Sequence, residues 1–139
     1  MEKVPNLLLL CQKINIMKIL VVDDEKDIQP LFEQRFRREI KKGEISFAFT
    51  FSGEEALRYL ADNSQEAVLI LSDINMPGMS GLDLLKRIKQ EYNESPPLVM
   101  MITAYGDTEN YKIAMELGAD DFITKPVDFK KLKEKIKTL

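Results

Sequence analysis

Five short apolar runs alternate with segments of helical periodicity along the chain, and this alternation limits the possible folds more than any other feature. The runs occupy residues 18–22, 45–51, 67–72, 97–103 and 121–124. Strands that alternate with helices form a parallel sheet that the helices cover on both faces. We therefore predict one α/β domain with a doubly wound, five-stranded parallel sheet in the strand order 2-1-3-4-5.

Residues that favour the start of a helix follow the apolar runs. Ser52 with Glu55 has the spacing of a capping box, and Ser80 belongs to a residue type that often caps helices. The first helix is expected to end before Gly43. The inward faces of the five predicted helices are expected to contain the apolar residues that recur at helical spacing, which are Ile28, Leu31, Phe32, Phe36, Ala56, Leu57, Leu60, Leu82, Leu85, Ile88, Ile113, Ala114, Leu117, Leu132, Ile136 and Leu139.

The composition excludes several classes of function. The 139 residues are 45% hydrophobic and 31% charged, as in globular domains, and the net charge of −3 offers no basic surface for nucleic acid. The chain contains no histidine, so catalytic triads that use histidine and histidine-ligated metal sites are excluded. The single cysteine, Cys11, cannot form an intrachain disulfide, and we expect a cytoplasmic protein.

Residues 1–16 are predicted to be an N-terminal extension of unknown role, followed by the domain at residues 17–139. The apolar stretch NLLLLCQ (6–12) is too short to cross a membrane and lacks a clear signal-peptide cleavage site. Two interpretations stay open. The extension is an ordered part of the protein, or Met17 is the usual first residue.

Polar residues stand where four of the predicted strands end. These residues are Asp23 and Asp24 after the first strand, Asp73 after the third, Thr103 at the end of the fourth and Lys125 after the fifth. The carboxyl ends of parallel strands meet at one edge of a sheet, and the first and third strands are neighbours in the predicted order. The residues are therefore expected to converge on the crevice where open α/β sheets bind ligands.

This set of residue types indicates phosphoryl chemistry. Three carboxylates at one point repel one another unless a cation lies between them, and Mg²⁺ prefers such oxygen ligands. Lys125 adds a positive charge and Thr103 adds a hydroxyl donor, so the set can stabilise a transferring phosphoryl group. Because the site contains no other strong nucleophile, the sequence predicts an aspartyl phosphate.

Each of these residues also has an ordinary structural interpretation. Asp24 could cap a helix, and Asp73 could be a turn acid. Thr103 could be a strand-end hydroxyl, and Lys125 a solvated surface lysine. The lysine-rich tail is interpreted as the solvated face of the last helix. The coincidence of four strand ends favours a functional site.

At these residues the chain resembles the receiver domain of two-component response regulators. The resemblance covers residues 17–139 and rests on four motifs in the family's order and spacing, which are VVDDE (21–25), SDINMPGMSG (72–81), MITAY (101–105) and FITKP (122–126). It implies a flavodoxin-like fold. It also implies a cytoplasmic signalling protein that receives a phosphoryl group from a sensor histidine kinase or a phosphotransfer protein.

The resemblance implies a role for each residue of the site. Asp73 matches the phosphoacceptor, and the partner kinase supplies the phosphohistidine. Asp24 resembles a direct Mg²⁺ ligand and Asp23 an outer ligand that acts through water. Asp73 and the backbone carbonyl of Asn75 complete the implied metal site. Lys125 resembles the lysine that pairs with the acceptor and then with the phosphate.

Further residues match the switch that responds to phosphorylation. Thr103 resembles the hydroxyl that moves toward the phosphate, and Phe122 stands at the aromatic switch position, where many family members have tyrosine. The Lys125–Pro126 peptide bond is expected to be cis. We also expect the bulky Tyr105 side chain to slow the access of water to the phosphate.

The predicted function is a phosphorylation-dependent signalling switch rather than a classical enzyme, with self-catalysed phosphoryl transfer and autodephosphorylation. Phosphorylation of Asp73 is expected to change the face formed by the fourth helix, the fifth strand and the fifth helix. That face would control an unknown downstream partner or form a homodimer. The sequence ends with the fifth helix, so output is expected to pass through another protein.

Three alternative functions stay open. An aspartyl-nucleophile, Mg²⁺-dependent phosphatase of the haloacid dehalogenase kind would require a D-x-D pattern, but Asn75 stands in place of the second acid. A nucleotide- or flavin-binding module would require a glycine-rich phosphate loop of a kind that the sequence lacks. A scaffold that acts without phosphorylation would not need the complete set of site residues.

Overall fold

The computed structural model describes residues 16–63, 69–92, 94 and 96–139. Within them, five strands form one sheet, which are β1 (Met17–Val22), β2 (Ile45–Thr50), β3 (Leu69–Asp73), β4 (Leu98–Ala104) and β5 (Asp121–Lys125). All neighbouring strands are parallel, and their order is β2-β1-β3-β4-β5. The predicted topology is confirmed. Residues 67 and 68 of the predicted third strand and residues 1–15 of the predicted extension lie outside the described residues.

The described residues form six helices, which are α1 (Ile28–Arg35), α2 (Arg37–Lys41), α3 (Gly53–Asn63), α4 (Gly81–Glu91), α5 (Thr108–Glu116) and α6 (Phe129–Lys137). The periodicity of the sequence predicts five helices, because residues 28–42 have the pattern of one continuous helix where the structure has α1 and α2. The two helices are separated at Phe36, where the backbone (φ −105°, ψ 19°) departs from helical geometry. None of the helices in the described part of the chain is long and apolar enough to span a bilayer.

The strands alternate their side chains between two hydrophobic layers. Leu20 and Val22 of β1 pack with α3, α4 and α5 on one face of the sheet. Ile19 and Val21 pack with α1 and α6 on the other. Because successive side chains of a strand point to opposite faces, a strand that is apolar throughout must be covered on both sides. This arrangement holds the ends of β1, β3 and β4 rigidly at one edge.

Aromatic rings fasten α1 and α6 to the edge strand β2. Phe32 of α1 makes edge-to-face contacts with Phe47 of β2 and Phe129 of α6, at centroid distances of 5.7 and 5.1 Å. Phe36 lies 5.0 Å from Phe47. Such pairs stabilise a protein by about 0.5–1.5 kcal/mol beyond their burial. The cluster therefore fixes the position of the chain that enters α6 directly after the site.

Three residues that were predicted to face inward are instead substantially exposed. Leu31 and Ile113 are each 37% exposed, and Leu139 is 46% exposed. Phe32 of α1 and Phe36, which directly follows α1, face the core. Leu31 is rotated about 100° away from Phe32 on the helix. Helical spacing alone did not distinguish the centre of the apolar face from its margin.

Candidate functional site

The carboxylates predicted for the site come together at the carboxyl edge of the sheet. Asp23 follows β1, and Asp73 is the last residue of the neighbouring strand β3. One oxygen from each of Asp23, Asp24 and Asp73 lies within 4.8 Å of the others. Asp23 and Asp73 are buried, with 1% and 6% exposure, whereas Asp24 is exposed. The cluster thus lies at the boundary between the buried end of the sheet and solvent.

Backbone amides orient the two buried acids. The N–H of Glu25 donates to Oδ1 of Asp23 at 2.9 Å. The N–H of Ile74 donates to Oδ1 of Asp73, also at 2.9 Å. Each bond leaves the second carboxylate oxygen of the acid for other partners. The carboxylates are therefore held in defined orientations before any ligand binds.

Burial opposes the charge of Asp23, which is 1% exposed. Burial raises the pKa of its carboxyl above the ordinary value of 3.8, and the charge of Asp73 acts in the same direction. The Glu25 amide and the charge of Lys125 offset only part of this effect. The charged form of Asp23 is thus less favourable in the folded protein than in water.

Lys125 provides the positive charge at the site. Its Nζ donates to Oδ2 of Asp73 at 3.0 Å and lies 3.9 Å from Oδ2 of Asp23. Burial opposes the charge of this ammonium group, but the hydrogen bond and charge of Asp73, with the charge of Asp23, outweigh burial and raise the pKa of Lys125. The lysine therefore stays protonated between the two acids. Its peptide bond to Pro126 is cis, which is the isomer that the sequence resemblance implies.

Thr103 and Phe122 lie on β4 and β5, the two strands that follow β3 in the sheet. Asp73 pairs with Ile102, so Thr103 lies one residue further along the neighbouring strand and is buried. Phe122 of β5 is half-buried, and its ring contacts the ring of Tyr111 from α5 at a centroid distance of 4.2 Å. A short lateral path across β4 therefore connects the acid cluster with α5.

The acid cluster has the chemistry of a divalent-cation site. Three carboxylates have oxygens this close, and the pKa of one of them is raised. A bound cation with oxygen ligands would reduce the repulsion among their charges. Mg²⁺ suits this donor set because it needs few protein ligands and retains water. Asn75, whose backbone carbonyl was predicted as a further ligand, lies exposed in the loop after Asp73. These residues fit the predicted cation.

Sequence reasoning missed an open cleft of about 790 Å³ that adjoins the acids. Its lining includes Asp23 and Lys125 together with apolar side chains of Ile28, Leu31 and Phe129. The helical spacing of Ile28 and Leu31 predicts that both face the core. Only the packing of α1 against α6 shows that they border a cleft.

Two further residues have positions that bear on the predicted site. The Tyr105 ring lines the cleft and is 87% exposed, and its predicted effect on access of water stays a prediction. Ser72, which the sequence analysis did not single out, is buried and donates a hydrogen bond to the carbonyl oxygen of Asp73 at 2.9 Å. The available signal in the sequence was a polar residue within an otherwise apolar run, directly before Asp73.

Comparison with known proteins identifies the same family as the sequence motifs. The family model of the response regulator receiver domain matches residues 19–137. The response regulator protein PilR of Pseudomonas aeruginosa is 39% identical over 121 residues, which are 87% of this chain and 25% of PilR. The transcriptional regulatory protein CpxR of Escherichia coli is 33% identical, over 88% of this chain and 48% of CpxR. The chain thus spans a quarter to a half of these curated relatives.

Solved structures have the same fold. A response regulator receiver domain protein from Clostridium thermocellum superposes with a TM-score of 0.78 and 29% identity, over 88% of this chain and 93% of that one. The receiver domain of NtrX from Brucella abortus gives a TM-score of 0.72 and 33% identity, over 86% and 95% of the two chains. The predicted flavodoxin-like fold is confirmed.

Proposed function

This chain belongs to the response regulator receiver family, and from that membership and the geometry of its acid cluster we propose that it is a phosphorylation-controlled signalling switch. Asp73 accepts a phosphoryl group from the phosphohistidine of a sensor histidine kinase or a phosphotransfer protein. The modified site then changes the surface formed by α5, β5 and α6, which we call the output face. That surface controls a downstream partner or a homodimer.

The observation that supports this proposal most directly is the pairing of Asp73 with Lys125 beside two further acids. One oxygen of Asp73 is bonded to the Ile74 amide and the other to Lys125 Nζ. A carboxylate held in this way is oriented for reaction, because folding has already met the entropic cost of fixing its orientation. The adjacent ammonium group is available to stabilise charge on a phosphoryl oxygen.

The proposed transfer is a displacement at phosphorus. A carboxylate oxygen of Asp73 attacks the phosphorus, an O–P bond forms as the P–N bond breaks, and the electron pair of the broken bond stays on the imidazole. Lys125 shifts from the Asp73 oxygen to a phosphoryl oxygen. Mg²⁺, held by Asp23, Asp24, Asp73 and the Asn75 carbonyl, would supply further neutralisation of the phosphoryl charge.

Hydrolysis at the phosphorus restores the unphosphorylated protein. A water oxygen attacks the phosphorus, the bond to the Asp73 oxygen breaks with its electron pair left on the carboxylate, and inorganic phosphate leaves with the protons of the water, which exchange with solvent. The carboxylate is regenerated and Lys125 returns to it. The protein therefore promotes its own phosphorylation and dephosphorylation, which differs from the turnover of a classical enzyme.

The cleft beside the acids supports a role for a partner that supplies the histidine. The chain itself contains no histidine. The cleft leads from Asp23 and Lys125 along the apolar side chains of Ile28 and Leu31 on α1. An apolar surface next to the reacting groups suits the docking of another protein that presents an imidazole to Asp73.

Incubation with Mg²⁺ and a small phosphodonor tests the proposal. We expect intact-mass spectrometry to show one added phosphoryl group in the parent protein and none in Asp73→Asn. Asp62→Asn, which changes an exposed acid of α3, is the matched control and should label like the parent protein. Absence of label in the parent protein, or equal labelling of Asp73→Asn, would refute the proposal.

A further inference from the structure

Ser72 is a polar residue in the most deeply buried strand of the sheet. All residues of β3 are buried, and the three that precede Ser72 are leucine or isoleucine. Ser72 itself is 1% exposed. A buried hydroxyl is unfavourable unless it forms a hydrogen bond, so its partner explains its presence.

The partner of Ser72 is the backbone of the acceptor residue. Its hydroxyl donates to the carbonyl oxygen of Asp73 at 2.9 Å. That oxygen also faces the first residue of α4. A Cβ built on Gly81 would overlap the Asp73 carbonyl oxygen and lie 2.8 Å from the carbonyl carbon. The carbonyl is therefore enclosed between the Ser72 hydroxyl and the backbone of Gly81.

The orientation of this carbonyl affects the carboxylate through the peptide plane. The carbonyl of Asp73 and the N–H of Ile74 belong to one planar peptide unit, so they rotate together. The same N–H donates to Oδ1 of Asp73 at 2.9 Å. A second backbone bond, from the Gly81 N–H to the Ile74 carbonyl at 2.7 Å, holds the far side of Ile74.

We propose that Ser72 is a positioning residue for phosphoryl transfer. Its hydroxyl fixes the peptide plane between Asp73 and Ile74, and the N–H of that plane orients the reacting carboxylate. This inference rests on the proposed function of Asp73 as the acceptor. Ser72 touches no reacting atom and acts only through the backbone.

Ser72→Ala tests the proposal directly. With saturating Mg²⁺ and a small phosphodonor, we expect the maximal labelling rate to fall about two- to tenfold, since one hydrogen bond is lost. The phosphodonor concentration that gives half the maximal rate should change little, because Ser72 does not contact the donor. In ¹⁵N-labelled protein, the amide resonance of Ile74 should shift to higher field as its bond to Asp73 weakens.

A second pair of variants separates the hydroxyl from the shape of the side chain. Thr and Val have nearly the same shape, so Ser72→Thr and Ser72→Val disturb the packing equally while only the former retains a hydroxyl. Ser72→Thr should label faster than Ser72→Val. Thr50→Val is the control for losing a buried hydroxyl elsewhere, because Thr50 Oγ1 has no hydrogen-bond partner among the described residues, and it should label at the parent rate.

The possible results distinguish this inference from the proposed function. If the parent protein is not labelled on Asp73, the proposed function fails and the positioning role fails with it. If the parent protein is labelled, and Ser72→Ala labels at the same rate with an unchanged Ile74 resonance, the positioning role alone is overturned. If Ser72→Ala has a lower unfolding temperature but keeps the parent labelling rate and the parent Ile74 resonance, the role of Ser72 is only structural and the positioning role is also overturned.

Discussion

Asp23 is a residue at which burial and charge conflict. It is 1% exposed, it lies beside Asp73, and burial raises its pKa. Lys125 Nζ, at 3.9 Å, is too distant for a hydrogen bond and offsets the conflict only in part. A charged group that is required for function but disfavoured by burial is a common feature of functional sites. Stability and metal binding should therefore oppose each other at this position.

Asp23→Asn should raise the unfolding temperature of the metal-free protein by about 2–5 °C, because a disfavoured buried charge is removed. Mg²⁺ should raise the unfolding temperature of the parent protein but have a much smaller effect on the variant. Calorimetry with EDTA or with Mg²⁺ measures both effects. Asp62→Asn is the control for loss of an exposed acid. An equal Mg²⁺ effect in parent and Asp23→Asn would contradict a metal role for Asp23.

At the scale of elements, α2 and α6 are joined by a charged contact outside the site. Lys133 Nζ lies 3.2 Å from Oε2 of Glu39 and 5.1 Å from the centroid of the Phe36 ring. Burial opposes the charge of Glu39, but hydrogen bonds from its own backbone amide and from Lys133 outweigh burial and lower its pKa below 4.5. This contact connects α2, which follows the division at Phe36, with α6 of the output face.

Glu39→Gln should make the protein less sensitive to acid. Because the pKa of Glu39 is lowered by folding, its contribution to stability is complete above pH 4.5 and is lost as the pH falls through the folded-state value. The parent protein should be more stable than the variant near pH 7, by less than about 1 kcal/mol, and the difference should vanish in acid.

Urea unfolding at several pH values between about 3 and 7 measures the Glu39 effect. Glu33→Gln, which changes an exposed residue of α1, should show no such convergence and is the matched control. A stability difference between the parent protein and Glu39→Gln that does not depend on pH would show that the charge of Glu39 is not responsible.

At the scale of the whole molecule, β4 links the acid cluster to the output face. Asp73 pairs with Ile102, and Met101 pairs with Phe122 on the other side of the strand. Phe122 in turn contacts Tyr111 of α5. Thr103 pairs with Thr124, two residues beyond Phe122 on β5, so a movement of Thr103 toward a phosphoryl group is expected to change the packing of β5 and with it the output face.

Phosphorylation of Asp73 should slow amide hydrogen exchange in the loop after β4 (residues 105–107), because Thr103 becomes tethered to the phosphoryl group. Exchange in α5 should change as well, while α3 should be unaffected. Thr103→Ala should accept the label without this response, and Thr103→Ser, which keeps the hydroxyl, should retain it. Identical exchange in labelled parent protein and labelled Thr103→Ala would contradict the proposed route.

Much of the fold and of the site could be predicted from local patterns. The apolar runs of β1 and β3 are long enough to require burial on both faces, and the acids at their ends had to share an edge in any parallel sheet. The division at Phe36 could not be predicted, because the flanking residues suit one continuous helix and the packing of Phe36 against Phe47 of β2 joins residues distant in the sequence. The exposure of Leu31 likewise depends on which side of α1 the sheet covers.

The sequence by itself determined that the strands form a parallel sheet with polar residues at the strand ends, because periodicity and strand-end chemistry are local properties. The strand order came from known doubly wound folds, and it then placed those residues at one edge. The family resemblance implied that Lys125 pairs with Asp73, but only the tertiary structure decided which atoms bond to one another there. The contact of Lys125 with Asp73 joins residues 52 positions apart. The enclosure of the Asp73 carbonyl by Ser72 and Gly81 depends on how α4 packs against β3. Such distances arise from close packing of whole elements, which no local pattern records.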